Sequence, residues 1–116
     1  MVANAAEFTF AKQPVIERSS GLIVGYAGVD RFDLGDEQWL EFAYRLVPEA
    51  RGKGYGTEAS RAVLATAAET FRGEILAIID PVNKASQGVA RKLWFQFWKQ
   101  AIVDECVRNL YRLQIG

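Results

Sequence analysis

The sequence predicts an α+β chain. A central mixed, mostly antiparallel sheet starts as a β-meander, carries two helices and closes with a β-hairpin. Three observations predict it. Before Pro48, short stretches rich in aromatic and β-branched residues follow one another through tight turns. From Thr57 to about Phe71, apolar residues return at helical spacing. The run Ile75–Ile79 is then apolar on both faces, as a central strand with a parallel neighbour should be.

Taken in order, Phe8–Arg18 reads as an edge strand, because Pro14 cannot donate to a ladder. Ser19-Ser20-Gly21 turns the chain into a second strand, Leu22–Val29, where Gly25 and Gly28 mark a bulge or a close backbone approach. Asp33-Leu34-Gly35-Asp36 is a turn signal, and Gln38–Val47 is a third strand carrying Trp39, Phe42 and Tyr44. In the helix that follows, Glu58, Arg61, Ala65, Glu69 and Arg72 form a stripe that can face water. Ala59, Ala62, Val63, Ala67 and Phe71 form the packing face, and Gly73 suits a C-cap. Asp80-Pro81 breaks the central strand. Asn83 then caps a short helix with apolar spacing Ala85, Val89, Leu93. Phe95–Val103 and Val107–Ile115 make the closing hairpin, joined at Asp104-Glu105.

Composition narrows the function. The chain has 116 residues, half of them hydrophobic, which fits one compact domain over residues 1–116. Acidic and basic residues balance at 14 each, which argues against sequence-independent nucleic-acid binding. There is no histidine, so imidazole bases, Ser-His-Asp triads and His–Cys zinc sites are excluded, and no metal is expected. The lone cysteine, Cys106, allows no internal disulfide and is expected to be a small buried strand residue. No run is long enough to span a bilayer and no signal peptide is evident, so a cytoplasmic location is expected.

The informative stretch is Arg51-Gly52-Lys53-Gly54-Tyr55-Gly56-Thr57, between the third strand and the first helix. Three glycines in five positions let backbone approach a ligand with no Cβ in the way. The opening turn of a helix presents N–H groups without intrahelical partners at the positive end of its dipole, which suits a diphosphate. Arg51 and Lys53 add positive charge beside them. A magnesium-binding phosphate loop needs Ser or Thr after Gly-Lys, and Gly54 stands there instead. A dinucleotide fingerprint needs a third glycine where Thr57 stands and a βαβ start where this chain has a meander.

These residues resemble the GNAT superfamily of N-acetyltransferases. Arg51, Gly54 and Gly56 meet its signature [Gln/Arg]-x-x-Gly-x-[Gly/Ala]. The stretches Glu41–Glu49, Thr57-Glu58-Ala59, Pro81-Val82-Asn83-Lys84-Ala85-Ser86 and Lys92-Leu93-Trp94-Phe95 look like the ribosomal-protein N-acetyltransferase branch, in the same order. The resemblance implies acetyl-CoA as co-substrate, with its pantetheine arm between the splayed third and fourth strands. Backbone groups at Leu46 and Val47 would pair with that arm. Residues Arg51, Gly52, Lys53, Gly54, Tyr55, Gly56 and Thr57 would hold the pyrophosphate. Asn83 would bond the pantetheine, and Ser86 would lie near the sulfur.

It also implies acetyl transfer to a primary amine by direct attack. Glu41 is the candidate base, acting through water, and Ser86 the candidate donor to the departing thiolate. A backbone N–H near Val47 is the candidate for polarising the carbonyl. Alternatively, Glu41 is a solvent-facing strand residue and Ser86 a first-turn residue bonded to backbone. The chain departs from the family pattern in three places. Ala90 stands where many members carry a tyrosine acid. Trp94 replaces the glycine of Lys-Leu-Gly-Phe. Only about twenty residues precede Gly21, too few for the usual N-terminal strand and helices. Either the acceptor site is unusually open or a second subunit completes it, and a homodimer is the expectation. A non-catalytic acyl-CoA-binding module with a degenerate acceptor site is the alternative. Trp94, Phe95, Phe97 and Trp98 read as core or a dimer surface, and Tyr44 and Tyr55 as packing residues.

Overall fold

The structure, a computed structural model, describes residues 12–116. Its strands are β1 (Gln13–Ile16), β2 (Ile23–Leu34), β3 (Glu37–Leu46), β4 (Gly73–Ile79), β5 (Gln96–Val103) and β6 (Cys106–Ile115). Helix α1 (Tyr55–Thr70) joins β3 to β4, and α2 (Lys84–Lys92) joins β4 to β5. One sheet runs in the order β1-β2-β3-β4-β6-β5. Its neighbours are antiparallel except β3 and β4. The predicted α+β class and the antiparallel meander are both present. No helix among the described residues is long and apolar enough to cross a membrane.

Turn chemistry sets the hairpins. Gly35, at φ 62°, closes β2 onto β3 with Leu34 opposite Glu37. The predicted second strand therefore runs on past Val29. Asp30 and Arg31, beyond the predicted end, and Asp33, which the turn signal included, each have a ladder partner on β3. Asp104 and Glu105 both take positive φ, 51° and 67°, which is the geometry of a two-residue hairpin turn. The part of the first predicted strand that holds Phe8 and Phe10 lies outside the described residues.

Helix α1 starts two residues before the predicted Thr57. Of the predicted packing face, Ala67 is buried and Val63 and Phe71 pack against the core, and the predicted outer stripe is exposed. Gly56, Ser60, Leu64 and Ala67 are buried, at helical spacing, while Ala62 is exposed. Ser60 reads as polar but its Oγ donates to the Gly56 carbonyl, so it enters the core without an unmet hydrogen bond. Gly73 is not the C-cap either. Phe71 caps the helix, and Gly73 begins β4 at φ 137°.

In α2 the buried residues are Gln87 and Ala90, followed by Leu93, and the predicted Ala85 is exposed. Gln87 is buried because its amide donates to the Pro81 carbonyl at 2.7 Å. Asn83 caps the helix as expected, accepting from the Ser86 N–H at 3.1 Å. The C-terminus closes with two reversed bonds, Phe95 N–H to Ala90 O at 3.0 Å and Trp94 N–H to Arg91 O at 3.1 Å. Trp94 thus occupies the left-handed position, φ 72°, that glycine normally takes.

The core draws on both helices. Leu64 and Ala67 of α1 and Ala90 and Leu93 of α2 join one cluster with Val29, Phe42, Ile75, Ala77 and Tyr111. Both helices therefore cover the same face of the sheet. Consecutive residues Ile75 and Leu76 are each 0% exposed, as a central strand covered on both faces requires. The aromatic run divides. Phe95 is core, Trp98 lies half-buried with its ring 5.3 Å from Trp39, and Trp94 and Phe97 are exposed. Cys106, expected to be buried, is exposed because it directly follows the tight turn.

Candidate active site

The sheet parts at its one parallel junction. β3 and β4 pair at Leu40–Ile75, Glu41–Leu76 and Phe42–Ala77, and no further. Beyond that point β3 stays with β2 as far as Leu46, and β4 stays with β6 as far as Ile79. Each strand keeps its outer neighbour, so the inner edges separate. The resulting cleft has a volume of about 150 Å³ and is lined by Phe42, Tyr44, Ile78, Asn83, Ser86 and Ala90, among others. A shallower hollow of about 700 Å³ lies at the other end of these strands, around Trp39, Glu74 and Gln114. A third cavity, of about 580 Å³, lies between β1 and α1 around Val15, Tyr55 and Ala59. Of the three, only the smallest cleft is lined by both parted strands and by α2, so it is the better candidate.

The Val47 N–H does not face the cleft. It donates to Val24 O at 2.8 Å, on the β2 side. Because backbone groups alternate along a strand, those of Tyr44 and Leu46 point to the parted edge. The Leu46 carbonyl there accepts from Arg51 Nε at 3.2 Å. Arg51 is thus directed at the end of β3, and the Lys53 side chain is 53% exposed.

The glycine loop is held open by backbone geometry. Gly52 and Gly54 have φ of 76° and 82°, and a Cβ on either would meet no atom within 4 Å. Side chains are excluded here by conformation, and the space beside the backbone is free. Gly54 is the N-cap of α1 and offers no side-chain cap. The first bond received is Glu58 N–H to Gly54 O at 3.1 Å. The N–H groups of Tyr55, Gly56 and Thr57 thus have no intrahelical acceptor. Bare amides, a dipole end and an exposed lysine suit a diphosphate.

Sequence reasoning missed Glu17. Tyr55 donates its hydroxyl to Glu17 Oε2 at 2.6 Å, and Lys53 Nζ lies 3.9 Å from the same oxygen. The Tyr55 bond first, then that of Ser20, holds the Glu17 carboxyl below its ordinary 4.5. No spacing rule links residues that far apart in sequence.

Glu41 is half-buried on β3, opposite Asp30. Phe42 packs toward the helices, so alternation turns Glu41 to the other face. Burial raises its carboxyl above the ordinary 4.5. Lys12 opposes that rise, while Asp30 and Asp104 add to it. Ser86 and Asn83, on α2 and its cap, line the cleft from the helical side. Glu41 and Ser86 thus lie on opposite faces where the strands part. Ala90, buried, puts a methyl on the cleft wall. Asn83 Oδ1 is engaged in capping, which leaves its amide N–H groups for a ligand.

A mixed sheet that parts beside a side-chain-poor helix start defines an α+β domain whose cleft lies next to a helix end with bare amides. The family model described as Acetyltransferase (GNAT) domain matches residues 3–96, and the chain belongs to that family. An uncharacterised Bacillus subtilis protein, YkkB, is 32% identical over 84 residues, 72% of this chain and 49% of that protein. This chain therefore spans about half the length of that relative. A Bordetella pertussis protein described as a GnaT-family acetyltransferase superposes with a TM-score of 0.81 at 23% identity, over 93% of this chain and 68% of that one. A phosphinothricin acetyltransferase from Sinorhizobium meliloti, solved in complex with AcCoA, gives 0.75 at 20% identity, over 90% and 60%. At these identities the two structures show a shared fold.

Proposed function

We propose that this chain binds acetyl-CoA as co-substrate and transfers the acetyl group to a primary amine by direct attack in a ternary complex. The observation that carries this reading is continuity. The parted edge of β3 runs through the Pro48–Ala50 turn into the glycine loop, so one path serves pantetheine and pyrophosphate. The fit is tested by the glycines, since the space that a Cβ would enter at Gly52 and Gly54 adjoins the bare amides of α1.

The Tyr44 and Leu46 backbone groups pair with the pantetheine amides, together with the Asn83 amide. The loop from Arg51 to Thr57 takes the diphosphate, with Lys53 as an exposed cation beside it. Glu41 accepts the amine proton through water from the face opposite the helices. The amine lone pair forms the new C–N bond, the C–S bond breaks, and the thiolate leaves with a hydrogen bond from Ser86. A Tyr44 or Leu46 N–H at the parted edge is better placed than Val47 to polarise the carbonyl. The resemblance to the ribosomal-protein branch suggests a peptide or protein N-terminus as the acceptor, with small-molecule amines such as antibiotics and polyamines as the alternative. Ala90, at the cleft wall, favours a second reading, in which the chain binds acyl-CoA without turning it over.

Calorimetric titration with CoA, followed by thiol release from acetyl-CoA over an amine panel, tests both readings. Binding with amine-dependent thiol release supports the first reading, and binding with background release only supports the second. No heat at about 1 mM CoA sinks both. Gly54→Glu should abolish binding, because its carboxylate would occupy the diphosphate space.

A further inference from the structure

A carboxylate stands beside the loop that is proposed to take a diphosphate, where its charge repels the ligand. Glu17 follows β1, and both of its oxygens are engaged. Ser20 Oγ donates to Oε1 at 2.7 Å, and the Tyr55 hydroxyl donates to Oε2 at 2.6 Å. The Glu17 backbone is fixed as well, its N–H donating to Leu22 O at 2.9 Å and its carbonyl accepting from Gly21 N–H at 2.8 Å. Its side chain is 17% exposed, against 53% for Lys53. Glu17 is thus an anchored group, and Lys53 is its more exposed partner.

Tyr55 is the first residue of α1 and follows Gly54 in the left-handed region. Its ring packs against the cluster of Val24, Leu46 and Ala50. Ring and hydroxyl are two fixed points on one residue, and together they set where α1 begins and where its first amides aim. A loop with three glycines in five positions has little stiffness of its own.

We propose that Glu17 is a positioning residue for the cofactor loop: through Tyr55 it aims the opening amides of α1, and it keeps Lys53 beside them for transfer to a diphosphate. This rests on the cofactor reading above. The repulsion it introduces is offset by preorganisation, since a loop already in its bound shape loses less freedom on binding. Orientation and charge have opposite consequences. If Glu17 acted only through its charge, neutralising it would tighten CoA binding. If it aims the loop, neutralising it weakens binding.

The test is the Kd of CoA, by calorimetry, for the unaltered protein, Glu17→Gln, Tyr55→Phe and the double variant, with circular dichroism to verify folding. Each single change is expected to raise Kd roughly tenfold, the scale of one lost hydrogen bond to a charged group. The double change should raise it no further, because both remove the same link. Tyr55→Phe keeps the ring and decides the matter should Glu17→Gln fail to fold. Tighter binding by Glu17→Gln, Kd values within about twofold of the unaltered protein, or additive losses each overturn the inference. If the unaltered protein does not bind CoA, the cofactor reading falls and this inference with it. If it binds and the variants match it, only this inference falls.

Discussion

The ring of Tyr44 occupies the space that a side chain on Gly56 would need. A Cβ there would lie 3.0 Å from Tyr44 Cε2. This contact seats the start of α1 on β3 and brings the glycine loop to the mouth of the cleft. Gly56→Ala must displace the ring, which is braced by Phe42 at 6.2 Å between centroids. The expected cost is about 1–3 kcal/mol of stability, together with weaker CoA binding. Urea denaturation and calorimetry measure the two effects, and an unchanged urea midpoint would show that the ring moves freely.

Glu41→Gln removes the proposed base and keeps the shape. Turnover should fall about 10²- to 10⁴-fold with little change in the KM for acetyl-CoA. In the unaltered protein, the rate should rise with pH through a value above 4.5, because burial favours the protonated carboxyl. Equal turnover in the variant would reassign Glu41 to a structural role.

The same shift has a consequence for stability. The folded state holds the Glu41 proton more tightly than an unfolded chain does. That contribution is fully present below 4.5 and is lost as pH rises through the folded value. Glu41→Gln should therefore be more stable than the unaltered protein at neutral pH, with the gap closing near pH 4. Urea midpoints at the two pH values check the sign.

Trp94 is 82% exposed and holds φ 72°. Little apolar burial is lost on replacing it, and the left-handed strain is relieved. Trp94→Gly should stabilise the fold by about 1 kcal/mol, net of the added freedom of the unfolded chain. Chemical denaturation reads this directly, and a loss of stability would show that the indole makes an important contact.

Asp104 and Glu105 take the two positive-φ positions of the β5–β6 turn. Replacing them by Asn and Gly matches the turn's preference and should add roughly 0.5–1 kcal/mol. A thermal melt of the double variant is sufficient. A fall in Tm would mean that the two carboxylates serve another purpose.

Much of this was legible because it rests on local patterns. Ile75 and Leu76 announce a two-sided strand, Asn83 announces a cap, and the glycines of residues 52–56 announce a loop. What stayed hidden depends on partners. Ser60 and Gln87 are buried only because particular carbonyls accept from them, which no hydropathy pattern encodes. The amide of Val47 is lost to Val24 through strand register, and Glu17 meets Tyr55 across 38 residues of chain. The exposure of Cys106 follows from its place one residue past a tight turn.

A gap between two strands differs from a pit in a surface, since it has two rims, and the proposed reaction sets its two reactants on opposite ones. Reactants arriving from opposite faces need not wait for one another, nor must one product leave before the second substrate enters. For the reaction proposed here, initial rates should then follow intersecting rather than parallel lines.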